Sequence, residues 1–199
     1  GSYVYNISQD EEGKIWIAND GALCLYNKQS DDFKRFRPDL SDEFSINSST
    51  VTDVFFDINQ RMWVATRFGG LNVYDKGKYV FSHLKHNSKN PNSLSANNIQ
   101  GLDEDEKGNI WIGIDGGGVN KYDPKTEQFT HLRHGPNNPN SLMSDKVLSL
   151  EVDQFGDVWV GMWDGGVTKY NPETNRYTRY LHDPEDPSSL SDNNIFDFF

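Results

Sequence analysis

The chain has 199 residues, a formal net charge of −11, 35% apolar and 25% charged residues, and one cysteine, Cys24. The acidity argues against nucleic acid and anionic membrane surfaces as partners. A single thiol excludes an internal disulfide framework and a cysteine-built zinc site, while 12 Phe, 9 Tyr and 5 Trp exclude a disordered chain.

Gly1-Ser2 reads as a cloning remnant, so the missing leader carries no weight. No apolar run approaches the length needed to cross a bilayer. The first predicted strand is "YVYNISQ", and "DEEG" turns the chain into a second strand centred on Trp16. "NDGALCLYN" holds the next turn and the third strand, and the fourth runs through Phe33 and Phe36.

The same paragraph then returns three times. Trp16, Trp63, Trp111 and Trp159 are spaced by 47, 48 and 48 residues and sit in "IWI", "MWV", "IWI" and "VWV". Tyr74, Tyr122 and Tyr170 follow the last three at 11 residues, with Tyr26 at 10 after Trp16. A repeat at this period is the strongest signal in the chain. The later units begin with "VTDVFFD", "NIQGLDED" and "KVLSLEVD", continue after the Trp strand with "GLNVYD", "GVNKYD" and "GVTKYN", and end with "YVFSHL", "QFTHLRH" and "RYTRYLH". These segments have strand lengths, and the gaps between them are too short for helical crossovers. Four antiparallel strands per unit of about 48 residues predict an all-β fold, a β-propeller, with solenoid stacking as the other reading.

Gly108 in "EKGN" and Gly156 in "QFGD" suit the first hairpin turn; in the second unit Asn59 is expected to take the left-handed place. The acids of "DEDEKGN" read as a solvated hairpin tip. As a calcium loop it fails, because counting from Asp103 its fifth and twelfth places hold Lys107 and Ile114. The linkers "NSKNPNSLSANNI", "GPNNPNSLMSDKV" and "DPEDPSSLSDNNI" join the units, with Leu94, Leu142 and Leu190 expected as anchors between blades and Ile46 as a weaker counterpart. The units divide as 3–46, 47–94, 95–142 and 143–190. The inner strand of a fifth follows at 191–199, where Phe196, Phe198 and Phe199 call for a partner: missing blades or a second copy.

"DEKGNIWIGIDGGGVNKYDP" and "DQFGDVWVGMWDGGVTKYNP", with looser versions at 57–75 and 10–27 and the "NPNSL" linkers, resemble the two-component regulator propeller repeat. The resemblance implies a piece of a seven-bladed propeller in the periplasmic sensor half of a Bacteroides-type hybrid histidine kinase, held in the inner membrane and responsive to glycans. The kinase and the membrane helix would lie in other parts of such a protein, so no direct membrane contact is expected of this segment.

For chemistry, His83 and His131 share one register, and His86, His134 and His182 another, all on or just past the fourth strand and far from the axis; a structural role is expected, with no metal and no cofactor. No G-x-S-x-G elbow occurs. In a propeller the loops between second and third strands share a face with the connections between blades. These loops carry the unrepeated residues Asn19, Asp20, Arg67, Phe68, Asp115, Trp163 and Asp164, read as contacts for an oligosaccharide or other small polar ligand. Indole and phenyl rings can stack on sugars, and Arg, Asp and Asn can bond their hydroxyls. Against this, Phe68 could cover the neighbouring blade, Trp163 plug the channel mouth and Arg67 pair with a surface carboxylate. The expectation is a non-enzymatic sensor segment; a structural or protein-interaction module and a propeller lyase, lactonase or glycosidase are the alternatives.

Overall fold

A computed structural model describes residues 3–78 and 80–198; Gly1, Ser2, Tyr79 and Phe199, with the expectations placed on them, lie outside. Among the described residues sixteen strands form four antiparallel sheets of four, each a meander in chain order. The first sheet holds β1 (Val4–Gln9), β2 (Ile15–Asn19), β3 (Ala22–Asn27) and β4 (Asp32–Phe36). The second holds β5 (Val51–Phe56), β6 (Met62–Thr66), β7 (Gly70–Asp75) and β8 (Val80–Leu84). The third holds β9 (Ile99–Glu104), β10 (Ile110–Ile114), β11 (Gly118–Asp123) and β12 (Gln128–Leu132). The fourth holds β13 (Val147–Val152), β14 (Val158–Met162), β15 (Val167–Asn171) and β16 (Arg176–Tyr180). The blade-like sheets are those that the repeat predicts.

The first strands lie side by side in succession, β1 on β5, β5 on β9 and β9 on β13, and the second strand of each sheet packs on the first strand of the next. Three cores result, one at each junction. Trp63, Leu94, Ile112 and Tyr122 share one; Trp16, Ile46, Val54 and Phe81 another; Trp111, Leu142, Val160 and Met162 the third. Such large flat rings supply much of the burial at a junction. Ile46 is 1% exposed, as fully seated as Leu94, so it is no weaker an anchor; Leu190 is only half-buried.

The acidic turn is not simply solvated. In each sheet the Asp six residues before the Trp accepts the indole N–H: Asp10 from Trp16 at 3.0 Å, Asp57 from Trp63 at 2.9 Å, Asp105 from Trp111 at 3.0 Å and Asp153 from Trp159 at 2.8 Å. The other carboxylate oxygen accepts backbone N–H groups of the turn, as Asp57 does from Asn59 and Arg61. One side chain thus closes the hairpin and satisfies a buried indole. In the second unit Gln60, not Asn59, takes the left-handed place, at φ 60°. The place is set by its distance from the Asp rather than by residue preference.

Residues 191–198 form no strand. Ile195 still donates to Met162 O at 3.3 Å and accepts from Ser149 Oγ at 3.2 Å, so the segment rests where a next inner strand would begin. Inner strands take their ladder from the second strand of their own sheet, and among the described residues no such strand pairs with this segment.

Candidate functional site

The inner strands surround a cavity of about 870 Å³, lined by β1, β5, β9, β13 and the segment at Phe196–Phe198. Each inner strand breaks register with its neighbour within its first three residues, at Val4/Asn6, Val51/Asp53, opposite Gly113/Ile114 and at Val147/Ser149. Such bulges re-aim side chains, and the bulged residues Tyr5, Thr52, Gln100 and Leu148 all face the cavity. Polar groups on these strands also strap one sheet to the next. Ser8 Oγ donates to Val54 O at 2.7 Å, Thr52 Oγ1 to Ile99 O at 2.7 Å, and the Asp53 and Asp103 carboxylates accept from Leu102 N at 2.9 Å and Val152 N at 2.6 Å. Burial lifts the Asp53 carboxyl to about 7 despite the backbone donors of Leu102 and Val54, with Asp103 and Asp197 adding to the rise. Burial raises Asp103 and Glu151 as well.

The mouth is built from one register. Asp20, Arg67, Asp115 and Trp163 each stand four residues after the repeated Trp, and each backbone N–H bonds a carbonyl at the start of the inner strand or just before it. The acceptors are Tyr3 O at 3.0 Å, Thr50 O at 2.9 Å, Asn98 O at 2.9 Å and Lys146 O at 2.9 Å. Four different side chains therefore hang on one fixed backbone. The next residue has positive φ in every sheet: Gly21 at 107°, Phe68 at 65°, Gly116 at 75° and Asp164 at 54°. Two places later Gly118 is required, since a Cβ there would lie 2.4 Å from Leu132 O. The glycines of this turn bend the chain and let β11 reach β12.

Of the residues expected to bind, Arg67, Phe68, Asp115 and Trp163 line the cavity together. Arg67 pairs with no carboxylate among the described residues; its guanidinium carbon lies 5.5 Å from the centre of the Tyr5 ring. Phe68 is 75% exposed and so covers no neighbouring blade. Asp115 accepts from Asn98 Nδ2 at 3.0 Å. Trp163 is 46% exposed and meets Phe196 edge-on, with ring centres 6.1 Å apart. Asn19, Asp20 and Asp164 stand outside this lining. Asn19 turns into its own hairpin, where its amide, oriented to satisfy both ends, donates to Asp20 O at 2.8 Å and Ala22 O at 3.1 Å. Asp20 accepts from the Tyr5 hydroxyl at 3.2 Å, and Asp164 N donates to Asn194 Oδ1 at 3.0 Å.

Sequence reasoning missed the inner-strand members Tyr5, Gln100, Asp103 and Glu151, and Asn98 just before β9. Their signal was polar residues inside strands that are otherwise apolar. The histidines latch connections: His83 and His131 Nε2 lie 2.9 Å from Ser45 O and Ser93 O, and His86, His134 and His182 Nδ1 lie 2.6 to 2.9 Å from Leu94 O, Leu142 O and Leu190 O. Among the described residues no group of three or more His, Cys, Asp or Glu could hold a metal ion.

The family model described as Two component regulator propeller matches residues 1–21 and 93–116. No curated protein matches the chain. Among solved structures, the chain superposes with a TM-score of 0.80 and 24% identity on the extracellular domain described as that of the hybrid two component system BT3049 from B. thetaiotaomicron, covering 90% of this chain and 25% of that one. The corresponding domain of BT4673 from B. thetaiotaomicron gives 0.78 and 23%, covering 98% and 24%. PorZ, a surface component of the type-IX secretion system of Porphyromonas gingivalis, gives 0.68 and 16%, covering 97% and 29%. The chain spans about a quarter of the length of the first two. It is thus similar to the two component regulator propellers, through the family model in two of its repeats and through fold over nearly its whole length.

Proposed function

We propose that this chain is the ligand-facing segment of an extracytoplasmic sensor in a two-component receptor, part of a seven-bladed propeller, and that it binds a glycan or glycan-derived oligosaccharide at the mouth of the central cavity. The observation that carries the reading is the register four residues after the repeated Trp. There Asp20, Arg67, Asp115 and Trp163 vary in chemistry on an unvarying backbone, and three of them line one cavity. Side chains held this way lose little freedom on binding. Trp163, Phe68 and Phe196 offer apolar faces for pyranose rings, and Arg67, Asp115, Asn98 and Gln100 offer donors and acceptors for hydroxyls. The carboxylates deeper in the cavity disfavour a polyanion and suit a neutral sugar.

The test is calorimetric titration of a panel of neutral and acidic oligosaccharides into the protein, repeated with Trp163→Ala and Arg67→Ala. The expected result is a saturable heat with one sugar class, weakened about tenfold or more by each change while the melting temperature holds. A tight ligand whose affinity neither change moves twofold removes the site from the mouth.

A further inference from the structure

One inner-strand side chain joins two sheets at the cavity mouth. The register between β1 and β2 shifts between Val4 and Asn6, so Tyr5 is the bulged residue, and it faces the cavity. Its hydroxyl donates to Asp20 Oδ1 at 3.2 Å. Over its ring lies Arg67, with the guanidinium carbon 5.5 Å from the ring centre. Asp20 and Arg67 hold equivalent places in the first and second sheets, four residues after Trp16 and Trp63. Their backbone N–H groups are tied to Tyr3 O and Thr50 O. Tyr5 therefore touches two successive mouth positions at once.

The other bulges are built differently. Thr52 turns its hydroxyl to Ile99 O at 2.7 Å, Gln100 gives its amide to Asn98 Oδ1 at 3.3 Å, and Leu148 has no polar group to give. The mouth residues of the sheets after Thr52 and Gln100 are Asp115 and Trp163. An aromatic ring at the bulge and a cation at the next mouth position coincide only at Tyr5 and Arg67.

This pairing decides what Arg67 has left to offer. A guanidinium that meets a carboxylate directly spends two of its five N–H groups on the fork. Among the described residues Arg67 makes no such pair. The Asp20 carboxylate acts on it through the ring instead. By accepting the phenolic O–H it pushes electron density toward the ring, as hydrogen-bonded chains polarise one another. A richer ring face attracts a cation more strongly. Burial raises the Tyr5 phenol, Arg67 opposes the rise and Asp20 adds to it, so the hydroxyl keeps the proton that it shares with Asp20.

We infer that Tyr5 is a positioning residue of the mouth, with Asp20 behind it: together they hold Arg67 over the phenol ring and leave its N–H groups free for the hydroxyls of a sugar. The inference rests on the reading of the mouth as a sugar site. It gives Asp20, which lies outside the cavity lining, a part in that site.

The first arm of the test needs no sugar. The Arg67 Nε–H signal is followed by NMR in the isotope-labelled protein and in Tyr5→Phe, Tyr5→Leu and Asp20→Asn. A group held over an aromatic face resonates upfield. The expected result is an upfield signal that Tyr5→Phe keeps, that Tyr5→Leu returns to the position of a free arginine, and that becomes more mobile in Asp20→Asn. A signal that Tyr5→Leu leaves in place overturns the inference, and so does an Arg67 side chain whose mobility Asp20→Asn does not change. The second arm is calorimetric titration with the oligosaccharide of the panel that binds. Tyr5→Leu is expected to weaken it about fivefold and Tyr5→Phe about twofold, with the melting temperature held. In an Arg67→Ala background Tyr5→Leu is expected to change the affinity by less than about twofold. A fivefold loss that persists in that background means that Tyr5 acts without Arg67, which overturns the positioning role. If no sugar of the panel binds, the sugar reading of the mouth falls, and the first arm alone decides whether Tyr5 and Asp20 hold Arg67.

Discussion

Four tryptophans of this chain and the fifth live in two different regions, and the contrast separates rings fixed by the fold from one left open at the cavity mouth. Trp16, Trp63, Trp111 and Trp159 recur at the blade period, lie between sheets or at a sheet face, and each donates its indole N–H to the Asp six residues earlier. Trp163 breaks the repeat: it stands at the cavity mouth, 46% exposed, and no group among the described residues accepts its indole N–H. The same side chain is fixed by a dedicated partner in one region and left available in the other. Repetition marks what every blade needs to stand. Variation on an unvarying backbone marks what the molecule can present.

The largest effect expected from breaking this contrast is at Trp111. With 1% exposure and a neighbour on the next sheet, Trp111→Ala is expected to cost about 3 to 5 kcal/mol in chemical denaturation. Trp159→Ala, on a half-buried ring that stacks on Tyr180 of its own sheet, is expected to cost clearly less. Equal losses at the two would mean that junction burial is not what holds them.

Asp57→Ala is next, at about 2 to 3 kcal/mol, because it strands the buried Trp63 indole N–H and opens the turn that Asp57 closes. Asp57→Asn keeps an acceptor and is expected to recover part of the loss in the same denaturation experiment.

The inner strands give a pH signature on the order of 1 to 3 kcal/mol. Folded Asp53 holds its proton to about 7, whereas an unfolded Asp releases it near about 4. Between those values the folded chain binds the extra proton, so stability falls as pH rises from about 4 to about 7 and levels above. The hairpin carboxylates act oppositely. At Asp153 burial pushes upward, but the donors from Trp159, Asp157 and Phe155 outweigh it and hold the group low, so its contribution is lost as pH falls through the acid range. Melting temperature is therefore expected to peak in mildly acid solution, and Asp53→Asn to flatten the decline toward neutral pH. A profile that Asp53→Asn leaves unchanged assigns that decline to other groups.

Phe68→Gly is expected to raise stability by about 1 kcal/mol, since Phe68 holds φ 65° with its ring exposed where the third sheet has Gly116. A loss instead would mean that the ring makes a contact worth more than the strain.

The Trp and Tyr spacing made the sheet order legible in the sequence, because a period of about 48 residues with four strand-length segments leaves little other architecture. The mouth was legible in part: Arg67, Phe68, Asp115 and Trp163 stood out as unrepeated residues in repeated turns. Asn19, Asp20 and Asp164 were grouped with them by position, and they stand outside the cavity lining. The cavity walls were hidden, because the bulges that turn Tyr5 and Gln100 inward are set by strand pairing and leave no local mark. The role of Asp105 was hidden for a related reason, since an acid near a Gly reads as a surface turn until Trp111 comes back over it.

The most direct measurement is an NMR titration that follows the five indole N–H signals of the isotope-labelled protein as the oligosaccharide found by calorimetry is added. The account predicts that the Trp163 signal moves saturably with the calorimetric affinity, while the four signals bonded to Asp10, Asp57, Asp105 and Asp153 stay in place. A bound sugar that leaves Trp163 unmoved, or that shifts the four junction tryptophans instead, would contradict it.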